Sequence, residues 1–215
     1  MDTLTTHDVQ ADATRGVAAA VAALRRGDLA VLPTDTVYGL AADAFSPPAV
    51  ARLLAAKGRG RDMPVPVLVG AWRGIDGLAD QVSGALRSLV ETFWPGPLTL
   101  VVRAAPSLAW DLGETRGTVA VRMPLHPVAL AVLAETGPLA VSSANRSGLA
   151  PATTVGEALE QLGSSVAVYL DGGVSSDPVP STILDLTGER PLLRRSGPLD
   201  ADALRALLPD LEVSS

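Results

Sequence analysis

Short apolar runs, rich in Val and Leu and too short for helices, recur along the chain and run into polar residues. LAVLP (29–33) leads into Thr34, Asp35 and Thr36, TVAVRMP (118–124) is interrupted by Arg122, and PLAVSS (138–143) ends in two serines. Runs of this length bounded by turn residues read as buried strands. VPVLV (65–69), PLTLVVR (97–103), SVAVYLD (165–171), STILDLT (181–187) and PLLRR (191–195) read the same way. Between them lie stretches with helical spacing. TRGVAAAVAALRR (14–26) has Thr14 as cap and Gly27 as stop, and SPPAVARLLAAK (46–57) has a Ser46 cap, prolines at its entry and Gly58 as stop. Further helices are expected over 78–93, 126–136, 155–162 and 199–209. Strands interleaved with helices predict an α/β domain of α+β type, with a large mixed sheet flanked by helices. No repeat or linker divides it. The expected organisation is a flexible N-terminus (1–13), one domain (14–209) and a short tail (210–215).

Composition narrows the function. Apolar residues make up 47% of the 215 residues and mean hydropathy is +0.30, enough for a substantial core. Aromatics are 3%, so that core must be mostly Val, Leu and Ala. With no cysteine there is no disulfide, thiolate metal site or cysteine nucleophile, which suits a reducing compartment. No apolar run is long enough for a transmembrane helix, and the polar, acidic start MDTLTTHDVQADATR lacks the regions of a signal peptide. A cytoplasmic protein with no membrane contact is therefore expected. The net charge of −6 argues against a dedicated nucleic-acid binder, leaving at most a weak tRNA contact through a local patch.

Several site signatures are absent from the sequence. Lys57, the single lysine, is followed by glycine, so there is no Walker A loop, and G-x-G-x-x-G, H-E-x-x-H and G-x-S-x-G do not occur. His7 and His126 are the only histidines; His126 opens a helix, where capping or surface exposure is the plain reading. What remains are polar groups at strand ends, where open α/β sheets place ligands. PTDTVYGLAADA (33–44) offers Thr34, Asp35, Thr36 and Tyr38, or simply a turn with its caps. KGRGRDMP (57–64) offers Lys57, Arg59 and Arg61 among glycines. Cations there either complement a helix C-terminus or close on phosphates as point charge and fork. Arg122 either snorkels outward or pairs with a carboxylate. LAVSSANRSG (139–148) offers Ser142, Ser143 and Asn145 for reading a small polar ligand, or forms a plain loop. Ser181, Thr182 and Arg195 repeat the pattern more weakly.

In order and spacing, VLPTDTVYGLAADA, AAKGRGRDMPV, WPGPLTLVV, VAVRMP, VSSANRSGLAPATT, PSTILDLTG and LLRRSG resemble the YrdC family, the threonylcarbamoyl-AMP synthases, across residues 28–198. The resemblance implies a twisted mixed sheet with a concave, positively charged ligand face, here in the single-domain form. It implies synthesis of threonylcarbamoyl-AMP and pyrophosphate from L-threonine, bicarbonate and ATP. Partner proteins would then transfer the threonylcarbamoyl group to the tRNA adenosine beside the anticodon. The implied ATP contacts are Lys57, Arg59, Thr118, Ser143, Ala144, Asn145, Ala152 and Arg195, with Lys57 and Arg59 also catalytic. The implied threonine contacts are Thr36, Tyr38, Arg122, Ser142 and Thr182. Mg²⁺ is expected on the ATP phosphates, with no protein-held metal.

Two positions depart from the family pattern: Met63, where a small polar residue is common, and Leu68, where many members have histidine. Two rival functions stand beside the synthase: a non-catalytic double-stranded RNA-binding or ribosome-maturation factor, and a carbamoyl-transfer domain. The charge and the few stacking aromatics weigh against the first, and the lack of cysteine and of room for zinc-finger segments against the second.

Overall fold

The computed structural model describes residues 4–175 and 178–214. Its strands are β1 (Thr5–Asp8), β2 (Ala30–Leu32), β3 (Gly39–Asp43), β4 (Val67–Leu68), β5 (Leu98–Arg103), β6 (Thr118–Arg122), β7 (Leu139–Ser143), β8 (Val168–Asp171), β9 (Thr182–Asp185), β10 (Leu192–Arg195) and β11 (Glu212–Val213). Among the described residues they join in one sheet ordered β1-β8-β2-β3-β7-β4-β6-β5-β9-β10-β11. The sheet is mixed: β8 is parallel to both β1 and β2, while β3 and β7 run antiparallel to their neighbours. The helices are α1 (Ala13–Arg25), α2 (Pro47–Lys57), α3 (Ile75–Leu78), α4 (Gly84–Phe93), α5 (Pro127–Thr136), α6 (Val155–Leu162) and α7 (Ala201–Arg205).

The two-residue alternation of strands sorts the core into two layers. Val31, Leu40, Ala42, Val67 and Ala140 face one side, where α2, α4, α6 and α7 contribute Leu53, Leu89, Leu162 and Leu204. Ala30, Leu32, Ala41, Leu68, Leu139 and Val141 face the other, under Val17, Val21 and Leu24 of α1 and Val132 and Leu133 of α5. Strands with both faces buried explain the continuous apolar runs.

Several expected elements shift. The expected flexible start contains β1, which pairs with β8 from Thr5 to Asp8. Asp12, not Thr14, caps α1 by accepting from the Arg15 N–H at 3.0 Å. The helix expected over 78–93 splits, because Ser83 caps a new helix and the backbone before it is drawn to β5, with Asp80 N donating to Arg103 O. The last helix ends at Arg205, and the tail adds β11 beside β10.

Candidate active site

The second apolar layer stops at β4: it contains no residue of β5, β6, β9 or β10. Among the described residues, half of that sheet face therefore lacks an apolar cover, and alternation decides what points into it. On β6, Val119 and Val121 face the other layer, so Thr118, Ala120 and Arg122 face the open side. On β5, Leu98, Leu100 and Val102 are buried, so Thr99, Val101 and Arg103 face out. The register places Thr99 opposite Ile183 and Ile183 opposite Arg195, and one further step along the β5/β6 ladder sets Arg122 beside Thr99. Arg122, Thr99, Ile183 and Arg195 thus form one row across the open face.

Arg122 is only 6% exposed. Its Nε donates to Gly96 O at 2.9 Å, Nη1 to Thr36 Oγ1 at 3.0 Å, and Nη2 to Asp35 Oδ1. Burial lowers its pKa and the Asp35 charge counters this; Arg195 is close enough to lower it further. The paired-carboxylate reading of this arginine is the one the structure realises. Thr36 is held in turn by Thr34 Oγ1 at 3.1 Å. Arg195 donates through Nε and Nη2 to Ser181 O at 2.9 and 2.8 Å, and Ser181 Oγ lies 2.8 Å from Thr99 Oγ1.

A second group gathers where α2 ends against the end of β7. Lys57 is the last residue of α2, and Gly58 ends the helix in the left-handed conformation at φ 61°. The Lys57 side chain turns inward. Its Nζ donates to Ser143 O, to Asn145 O at 2.6 Å and to Asn145 Oδ1 at 3.4 Å, and the residue is 3% exposed. Burial, helped by the Arg59 charge, pulls its pKa down to about 8. The lysine thus clamps the end of α2 to the turn after β7. Arg59 donates to Ser142 Oγ at 3.1 Å and to Pro64 O at 3.2 Å. Its Nε is buried with no partner among the described residues. The 58–64 loop is itself tethered, since Arg61 pairs with Asp111 at 2.7 Å and its carbonyl accepts from Glu114 N.

The remaining expected residues divide. Ala144 N donates to Tyr38 O at 2.7 Å and Tyr38 N to Ala152 O at 3.1 Å, so these three form one buried seam behind Ser143. The Tyr38 hydroxyl donates to Gly173 O at 2.6 Å. Asn145 Nδ2 donates to Arg146 O and Leu149 O, so its amide shapes the turn. Thr118 is half-buried on the open side and donates to Thr115 O. Thr182 is not brought to the open face. It shares the parity of buried Leu184, and its hydroxyl bonds Leu199 O and N at 3.1 Å. Its neighbour Ser181 is the hydroxyl beside Arg195. Sequence reasoning noted Ser181 only weakly and missed Thr99 and the Asp35 partnership with Arg122. Leu68 pairs in register with Arg122 and belongs to the apolar layer, so the usual polar position here extends the core up to the arginine. Met63 is 41% exposed.

The Sua5/YciO/YrdC family model, described as "Telomere recombination", matches residues 22–197. A Mycobacterium tuberculosis protein that carries threonylcarbamoyl-AMP synthase as a provisional name is 56% identical over 194 residues, covering 90% of this chain and 89% of that protein. The Bacillus subtilis threonylcarbamoyl-AMP synthase is 36% identical over 215 residues, covering 99% of this chain and 60% of that one. Among solved structures, Pyrococcus abyssi Sua5 complexed with L-threonine superposes with TM-score 0.88 at 34% identity, covering 92% of this chain and 58% of that one. This chain spans only about 60% of the length of the archaeal Sua5 structures it matches.

Proposed function

This chain belongs to the Sua5/YciO/YrdC family, and from that premise and its geometry we propose that it is a threonylcarbamoyl-AMP synthase. It joins L-threonine, bicarbonate and ATP and releases pyrophosphate. The observation that carries the reading is the open row from Arg122 to Arg195, in a chain that also holds a cationic cluster at the end of α2, where Arg59 donates to Ser142.

We place the threonine carboxylate on Arg122, whose Nη1 and Nη2 each keep a second N–H, with Thr36, Ser142 and Ser181 nearby and Tyr38 holding the floor. The nucleotide lies against Arg59, Arg195 and Thr118, over the Ser143–Asn145 turn and the Ala152 backbone. The threonine amine, freed of its ammonium proton, first adds to carbon dioxide with release of a further proton, or to bicarbonate with loss of water, giving a carbamate. A carbamate oxygen then attacks the α-phosphorus of ATP and pyrophosphate leaves. No protein nucleophile is required, so the residues act by alignment and by offsetting charge. Arg59 supplies a fork for phosphate oxygens. Lys57 holds Ser143 and Asn145 in place, and it reaches phosphate only by releasing those carbonyls. Mg²⁺ would arrive on the ATP phosphates.

The product is a reactive mixed anhydride. Its proposed consumers are transferases that pass the threonylcarbamoyl group to tRNA. The RNA-binding and carbamoyl-transfer alternatives gain nothing from relatives that are named as synthases. Among the described residues no helix is long and apolar enough to cross a membrane.

The test is pyrophosphate release from ATP with each component omitted in turn. Release that needs both threonine and bicarbonate is the expected result. Release indifferent to either one sinks the assignment.

A further inference from the structure

We propose that Asp35 binds the α-ammonium of the amino-acid substrate, so that Arg122 and Asp35 together read a zwitterion. The inference rests on the threonine-using reading above. Asp35 sits in the turn between β2 and β3, and its Oδ1 accepts both from Arg122 Nη2 and from Leu125 N at 2.9 Å. The carboxylate is therefore fixed from two directions, by the last residue of β6 and by the segment leading into α5. A carboxylate can accept about four hydrogen bonds. Oδ2 receives no donor among the described residues. The side chain keeps 13% of its surface exposed.

The position of the free N–H groups completes the argument. Arg122 Nη2 gives one hydrogen to Asp35, and its other hydrogen is on the same nitrogen. A carboxylate accepting that second hydrogen lies beside Asp35. An α-amino acid bound there carries its ammonium two bonds from the carboxylate carbon, and Oδ2 is the acceptor the proposal assigns to it. A bare buried arginine would attract any small carboxylate. An arginine already paired with an aspartate offers a nearly neutral site, and a ligand bearing both charges matches it better than a simple anion. Asp35 would in this way set the preference for an amino acid over a hydroxy acid of the same shape.

The experiment is calorimetric titration of the full chain with L-threonine and with (R)-3-hydroxybutanoate, which keeps the carboxylate and hydroxyl but lacks the amine. Wild type should prefer threonine by about 30-fold or more, the scale of a close charge pair. Asp35→Asn should reduce the preference to about 3-fold, mainly by weakening threonine. Asp35→Glu, which keeps the charge, should retain part of it. Equal binding of both ligands to wild type, a comparison that needs no variant, would overturn the proposal. So would an Asp35→Asn variant that weakens both ligands by the same factor, since Asp35 would then only hold Arg122. If wild type neither binds threonine nor releases pyrophosphate in its presence, the synthase reading itself fails.

Discussion

The Lys57 ammonium donates to the main-chain oxygens of Ser143 and Asn145, joining the end of α2 to the turn that follows β7. Lys57→Ala should therefore cost stability as well as activity. It strands two acceptors that a charged donor now satisfies, a loss of about 3 kcal/mol. A lysine that only reached for phosphate would leave the melting temperature nearly unchanged. Urea unfolding of Lys57→Ala separates the two, and an unchanged midpoint would mean that the clamp carries no load.

Arg122 and Asp35 form a pair with side chains 8% and 13% exposed. Arg122→Ala leaves the Asp35 charge without its partner and should destabilise by about 3–5 kcal/mol. Adding Asp35→Ala should recover part of that loss, because the stranded charge goes too. Chemical denaturation of the two single variants and the double variant gives the coupling; strict additivity would show that the pair is not coupled in the folded state.

His126 has a pKa held below its ordinary 6.5 by burial, with the Asp35 charge pulling the other way, and its Nδ1 is buried without a partner among the described residues. A depressed histidine pKa means that the unfolded chain takes up a proton near pH 6.5 while the folded chain does not. The His126 contribution to stability is then full above that pH and declines as pH falls below it, until the folded histidine also protonates. His126→Gln should show a shallower fall in melting temperature between pH 7 and 5 than wild type. Parallel curves for the two proteins would contradict this.

Gly197 has no room for a side chain. A Cβ there would collide with the Thr182 amide nitrogen and lie 2.6 Å from Pro180 O and 2.7 Å from Ser181 C. Gly197→Ala should push back the segment that positions Ser181 for Arg195, costing about 1–3 kcal/mol. It should also raise KM for ATP more than KM for threonine. Kinetics on the folded variant measure the split, and equal rises would disconnect Arg195 from the nucleotide.

Much of this was legible from residue order alone. Buried apolar runs that lead toward Thr36, Arg122 and Ser142 mark the strand ends where open α/β sheets place ligands, and only the order and spacing of several such stretches set them apart from plain turns. Other features depend on long-range pairing. Thr5–Asp8 becomes a strand only because β8 lies alongside it, and its own residues give no apolar pattern. Ser181 and Thr182 are chemically alike and adjacent. Only the register against β5 decides which faces the open side, and a one-step error exchanges them. The direction of the Lys57 side chain is equally hidden, because its acceptors are backbone oxygens 86 and 88 residues away.

The apolar cover that ends at β4 leaves β5 and β6 with one face in the core and the other outside the second apolar layer. Along β6 the two sides alternate residue by residue: Val119 and Val121 face the core while Thr118 and Arg122 face the open side. Neighbouring positions on one strand should thus answer to separate constraints. A substitution at Val119 or Val121 should lower stability, one at Thr118 or Ala120 should mainly alter the open side, and Arg122, buried against Asp35, carries both duties. Selection could retune the reaction surface without touching the layer beneath it.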